Sequence, residues 1–377
     1  MMMRYIVGVV KDNRQQAVNY HKDFDVGVGD GHEIKVLFNC EILSGCEFKC
    51  KGCFVNKAGS NIGSFDRLNN AIDLFNTNGY RVSTINIGPS DLFGNNNIKQ
   101  LLNDSVFREA LSKCSTIEFA TTLENVDEEV IELLNTIPKI DGFMYDINVI
   151  IDPYKFVDNN QYRSWLKEAI NKINLFTHDA DYHIQMNMGN DDKINKRIVE
   201  MCYIVEDEFD SIFILNPSFF RARKSKTHRQ LIEKWSKTLK EEWTDNHTEV
   251  FPLTIADQAQ GGSLELNFTY CNENFFWTPF VYNIVMIGTD EYKVQDENDI
   301  NSWTQVKEDQ FLKQLTYSNQ TNECSGCDNM LTCIDKGVLS YMQHHMLTDC
   351  VYPSKNLKSV SNNKKVSLTT GFEFKAN

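Results

Sequence analysis

The sequence is short of two things that narrow its role at once, positive charge and long apolar runs. Its 377 residues carry 38 Lys+Arg against 52 Asp+Glu, a formal net charge of -14. No basic face is offered to a nucleic-acid backbone, whose binding depends on neutralising phosphates. The longest apolar candidates, Ile6 to Val10 and Ile284 to Ile287, are strand-sized, far below the roughly 18 residues that a membrane helix needs. The first thirty residues carry charges throughout and no small-residue cleavage site after an apolar stretch. No export signal is read there, and a cytoplasmic home is the expectation.

What is present is the composition of a globular protein, 41% hydrophobic and 24% charged, with length enough for about two domains. From Glu33 to Asn246 short apolar or β-branched runs alternate with stretches of helical period, the pattern of parallel strands joined by crossover helices. Six strands are predicted: Ile34 to Ile42, Val82 to Gly88, Thr116 to Thr122, Gly142 to Ile150, Tyr182 to Met188 and Ser211 to Asn216. Helices are predicted over Phe65 to Asn78, with Ser64 to start it and Gly79 to stop it, over Asn159 to Phe176, and over Thr227 to Thr244. Six βα units, two short of a closed barrel, suggest an α/β partial barrel with its site at the strand C-termini. After residue 248 the pattern turns to strands and turns, with strands read in Glu249 to Ile255, Leu264 to Cys271, Phe275 to Ile287 and Glu291 to Val294 and a helix near Gln305 to Leu315. The expected layout is an extension over 1–32, the barrel over 33–248, a smaller α+β unit over 249–353 and a mobile polar tail over 354–377.

Eleven cysteines in a chain read as cytosolic point to metal ligands or redox centres rather than disulfides, because that compartment keeps thiols reduced. Cys46, Cys50 and Cys53 lie in the loop just past the first predicted strand, spaced Cys-x3-Cys-x2-Cys. Three thiolates on a short loop hold three corners of a four-iron cluster and leave the fourth iron open to a substrate. A stripe of buried cysteines, or three legs of a zinc site, are the other readings of the same spacing.

That motif, directly after the first strand of a six-unit βα chain, resembles the radical S-adenosylmethionine (SAM) superfamily. The resemblance implies a partial (β/α)6 radical SAM barrel in which Cys46, Cys50 and Cys53 bind a 4Fe-4S cluster. Its open iron is chelated by the amino and carboxylate groups of SAM, and reductive cleavage gives a 5′-deoxyadenosyl radical that takes hydrogen from a substrate. The family usually has an aromatic residue before the third cysteine. Gly52 stands there, with Phe48 or Phe54 as the alternative cover for the cluster. Where the family places a glycine-rich stretch for the SAM amino group, this chain has Gly88-Pro89-Ser90-Asp91, without the paired glycines and glutamate. Gly88, Ser90 and Asp91 are the candidates, and turn chemistry is the other reading. Asp146 with Asn148, and Gln185 with Asn187, alternate with apolar neighbours, so each pair points one way from its strand. They either meet the ribose and methionine of SAM or hydrogen-bond one another in the core. Past the sixth strand, Asn216, Arg221 and Arg223 resemble the segment near the adenine and carboxylate. The run Arg221 to Arg229 reads equally as a solvated basic surface.

Cys324, Cys327, Cys333 and Cys350 form a second group, Cys-x2-Cys-x5-Cys and a distant fourth. Four thiolates close a site with no open corner, for zinc or for iron-sulfur. After a radical SAM barrel the arrangement resembles the SPASM and twitch auxiliary-cluster extensions of peptide-modifying enzymes. It lacks the further cysteines of the two-cluster versions, which implies one auxiliary 4Fe-4S cluster, ligated wholly by protein and suited to electron transfer or structure. Cys40, Cys114, Cys202 and Cys271 are left over. Cys202 is read as core, and Cys271 is the one spare thiol worth testing.

The expected function is hydrogen abstraction from a peptide or protein side chain by a maturase that crosslinks, oxidises or epimerises. The alternative is an oxidoreductase or dehydrogenase acting on a sugar, nucleoside or amino acid with one auxiliary cluster assisting. A non-catalytic metal-binding scaffold is the third possibility. The resemblance further implies an electron donor such as flavodoxin or ferredoxin, and no nucleic-acid or membrane partner. Asp257, Glu265 and Tyr270 lie in the sheet region that could face substrate, or are strand surface. No general acid or base is assigned.

Overall fold

The computed structural model describes residues 35–43, 48, 64–88, 90–156, 158–177, 179–188, 191–209, 212–217, 234, 248–250, 265–277 and 292–318. All six predicted strands are present: β1 (Lys35–Glu41), β2 (Arg81–Gly88), β3 (Thr116–Thr121), β4 (Met144–Ile151), β5 (Ala180–Met188) and β6 (Ile212–Pro217). Between them run α1 (Asp66–Thr77), α2 (Ile98–Asn103), α3 (Ser105–Ser112), α4 (Glu128–Asn135), α5 (Asn159–Ile173) and α6 (Asp192–Phe209). Adjacent strands pair in parallel throughout, which demands crossover connections and explains why each strand is followed by helix.

The sheet extends past these six at both edges. β7 (Thr248–Val250) pairs in parallel with β6. β8 (Glu265–Cys271) returns to the opposite edge and pairs in parallel with β1, Lys35 against Glu265 through Cys40 against Tyr270. β9 (Asn274–Trp277) turns back antiparallel on β8. The order is β7-β6-β5-β4-β3-β2-β1-β8-β9, so the sheet spans the boundary drawn at residue 248. The β8–β9 turn places Asn272 and Glu273 at φ 48 and 60, the left-handed pair that a two-residue hairpin of this twist needs. α7 (Ile300–Ser318) follows. The predicted helix over Thr227 to Thr244, residue 234 apart, the tail and the N-terminal extension lie outside the described residues.

Strand alternation separates two faces. One carries Phe38, Ile85, Ile87, Ile117, Phe119, Tyr145, Ile147 and Ile184, all buried, and packs on the helices. Phe38 meets Phe75 of α1 at 5.9 Å and Trp303 of α7 at 6.0 Å between ring centroids. Trp303 also lies 4.8 Å from Phe268 of β8 and 4.7 Å from Phe275 of β9, so this aromatic group fastens the last strands to the first. Local signals hold the helices in place. Asp104, Asp127 and Asp158 each accept backbone N–H bonds in the first turn of α3, α4 and α5, relieving donors that have no partner within the helix. Ser64 accepts from Asp66 N at 3.2 Å ahead of α1, and Gly79 leaves it at φ 82. No helix among the described residues is long and apolar enough to cross a membrane.

Candidate active site

The other face of the sheet is polar, and it is the inner face of the barrel. Asn39 of β1 lies in register with Asn86 of β2 and with Thr269 of β8. Asn86 pairs with Glu118 of β3, and Glu118 with Asp146 of β4. Asn148 of β4 pairs with His183 of β5. A row of hydrogen-bonding side chains thus crosses five adjacent strands and β8. It follows from period-two alternation, since each of these residues is flanked by apolar ones that point to the helices.

The row is wired together. Asn148 Nδ2 donates to Glu118 Oε1 at 2.9 Å, and Asn86 supplies a second side-chain hydrogen bond to Glu118. His183 Nε2 lies 3.2 Å from Asp146 Oδ1, and its Nδ1 is buried without a partner. Asn39 Nδ2 donates to Asn267 Oδ1. Burial and the nearby Asp146 charge push the Glu118 carboxyl up to about 7, against the pull of its two amide donors. The Asp146 carboxylate raises the His183 imidazole above its ordinary value. A carboxyl pushed up to about 7 and an imidazole raised by its carboxylate partner, on one enclosed face, suit proton transfer. Asp146 and Asn148 therefore do share a face, and among the described contacts their partners are His183 and Glu118 rather than each other.

At the C-terminal rim the β2 loop is tied down. Ile42 and Leu43 donate backbone N–H bonds to Gly88 O at 3.0 and 2.9 Å. Ser90 Oγ donates to Leu43 O at 3.2 Å. Asp91 is buried, accepts from Gly94 N at 2.9 Å and from Thr122 N, and takes the Thr121 hydroxyl at 3.3 Å. Burial raises its proton affinity while these backbone donors lower it. The Asp91 carboxylate is engaged as a clamp between the ends of β2 and β3. Phe48, from the cysteine loop, stacks on Gly94 so closely that a Cβ there would stand 2.7 Å from the ring. Glycine is required by that approach.

Gln185 is on β5, in register with Ile150. Asn187 of β5 and Asn216 of β6 are backbone register partners. Arg221, Arg223, Phe54 and all seven candidate metal ligands, Cys46, Cys50, Cys53, Cys324, Cys327, Cys333 and Cys350, lie outside the described residues. Among the described residues no group of three or more metal-ligating side chains occurs. The four remaining cysteines are buried. Burial pushes the Cys271 thiol up to about 11 and the Cys114 thiol up to about 12, so both are thiols and not thiolates at neutral pH. The reading of alternate polar residues named the β4 and β5 pairs and left out Asn39, Glu41, Asn86, Glu118 and His183, which the registers set on the same face. The same two-residue period in β1, β2 and β3 was the available signal.

No protein-family model matches the sequence, and no curated protein matches it in sequence. Similarity lies with solved structures. Streptococcus suis SuiB bound to S-adenosylmethionine shares the fold with a TM-score of 0.53 at 12% identity, over 92% of this chain and 84% of that one. SuiB bound to precursor peptide SuiA matches with a TM-score of 0.50 at 11% identity, over 94% and 85%. At this identity the likeness defines the fold alone: the chain has the partial α/β barrel seen in SuiB.

Proposed function

We propose that this chain is a radical SAM enzyme that modifies a peptide or protein side chain. The observation that carries the reading is the position of the Cys-x3-Cys-x2-Cys run. Cys46 follows Glu41, the last residue of β1, by five positions, at the strand ends where parallel α/β sheets bind their ligands. Cys46, Cys50 and Cys53 would hold a 4Fe-4S cluster, and Cys324, Cys327, Cys333 and Cys350 an auxiliary one. The described surroundings fit a bound polar cofactor. The inner face is lined with donors and acceptors, and buried polar atoms on it, Glu41 Oε1 and His183 Nδ1 among them, have no hydrogen-bond partner among the described residues. When bound, the cluster supplies the electron that cleaves SAM, giving a 5′-deoxyadenosyl radical that takes a hydrogen atom from the substrate.

The protein's own part is to orient and to enclose. Gly88, Ser90, Asn148, Gln185, Asn187, Asn216 and Arg221 are the proposed SAM contacts. Asp91 serves by holding the β2 loop, and Phe48 walls the cysteine loop against Gly94. Asp146 and His183 are placed to shuttle a proton with Glu118. A peptide substrate is favoured by the similarity to SuiB, a structure solved with precursor peptide SuiA. The proposed setting is the cytoplasm, with a flavodoxin or ferredoxin as electron donor. Mass spectrometry of candidate neighbouring peptides after co-expression tests the substrate class. A mass change that requires Cys46, Cys50 and Cys53 is the expected result, and a small molecule consumed in its place would favour the oxidoreductase reading.

A further inference from the structure

Glu41 ends β1 with its side chain on the inner face, two residues beyond Asn39 and directly opposite Gly88 in register. It is only 8% exposed, yet among the described residues its Oε1 has no hydrogen-bond partner. Its neighbours are committed elsewhere. Asn39 bonds Asn267, Ser90 bonds the Leu43 carbonyl, and Asp91 holds the Gly94 and Thr122 amides. Opposite it, Gly88 contributes no side chain, and a Cβ there would meet only Asn86 Oδ1, at 3.4 Å. The backbone opposite a buried carboxyl at the end of β1 therefore carries no side chain to satisfy it.

Burying such a group without a partner is unfavourable, and native proteins keep few of them. A carboxylate is an acceptor with no donor of its own, and its strongest complement is a cationic donor. We infer that Glu41 is the receptor for a cationic amine on a ligand entering the barrel mouth. Two sources carry that chemistry, the amino group of SAM and a lysine side chain of the substrate peptide. Only the first rests on the radical SAM reading proposed above. Burial pushes the Glu41 carboxyl up to about 8 in the free protein, so it holds a proton until an ammonium arrives and takes its place beside the oxygen.

The test is calorimetric binding to anaerobically reconstituted full-length protein, wild type against Glu41→Gln, with two matched pairs of probes. S-adenosylhomocysteine carries the amine and 5′-methylthioadenosine lacks it; N-acetyl-lysinamide carries it and N-acetyl-norleucinamide lacks it. One amine-bearing probe is expected to bind Glu41→Gln at least tenfold more weakly than wild type while its amine-free partner is unchanged. Glu41→Asp, which keeps the charge, should recover part of that loss, and the melting point of Glu41→Gln should be no lower than that of wild type. Equal affinity of both amine-bearing probes for wild type and Glu41→Gln, or no binding of either to wild type, would overturn the inference. If only the lysine probe depends on Glu41 and SAM is not cleaved, the radical SAM reading falls and this assignment stands. If SAM is cleaved and neither probe senses the substitution, the reverse holds.

Discussion

Glu118 gives a pH signature that can be read in stability. Its carboxyl ordinarily titrates near 4.5 and is pushed up to about 7 in the fold, first by burial and then by Asp146. The folded chain therefore binds the proton more tightly than the unfolded one, and stability falls as pH rises from 4.5 to about 7, staying level above that. The raised His183 acts in the same direction. Its stabilising pair with Asp146 is fully present below 6.5 and is lost as pH climbs through the folded value. Glu118→Gln removes the first contribution, so urea unfolding at pH 5 and pH 8 should show a smaller loss of stability in the variant. The gain at pH 8 relative to wild type is expected to be on the order of 2 to 3 kcal/mol; profiles that run parallel would contradict the assignment. Glu118 and His183 were open to the alternation rule that found Asp146 and Asn148. What a linear pattern does not contain is which carboxyl meets which imidazole across the strands, and it is that meeting that shifts their proton affinities.

Two joints decide how the elements hold together. Asp91 links the loop after β2 to the end of β3 through backbone donors, and Asp91→Ala strands two buried N–H groups. A cost of about 2 to 4 kcal/mol in denaturant unfolding is expected, with Asp91→Asn milder because it keeps an acceptor oxygen. Trp303 lies among Phe38, Phe75, Phe268 and Phe275, so Trp303→Ala should cost about 3 to 5 kcal/mol and loosen β8 and β9 from β1. That loosening would be read as faster amide exchange in β8 than in β3. The six parallel strands were legible because each is a β-branched run bounded by turn residues, and the structure places each within a few residues of its prediction. The joining of β8 to β1 was not, because Asn267 and Thr269 meet β1 across more than two hundred residues and nothing local in either segment announces the other. Asp91 was read as a ligand candidate or a turn former. Its backbone partners give it a tethering role as well, one that depends on the approach of β3.

For the molecule as a whole, the acidic surface and the polar inner face separate two tasks. A chain of net charge -14 is poorly suited to nucleic acid or anionic membrane, and the chemistry proposed for it is turned inward, to the strand ends that the cysteine run follows in sequence. The two groups of cysteines should be separable. Alanine replacement of Cys324, Cys327, Cys333 and Cys350 together is expected to lower bound iron by about four atoms per chain while SAM cleavage persists, measured by iron assay and by product formation in the same preparation. The measurement that bears most directly on the proposal is formation of 5′-deoxyadenosine from SAM by anaerobically reconstituted protein under reducing conditions. The wild type should form it, and the Cys46→Ala, Cys50→Ala and Cys53→Ala variants should each form none. Product that persists in any of those variants, or a wild type that carries a complete iron-sulfur cluster and leaves SAM intact, would contradict it.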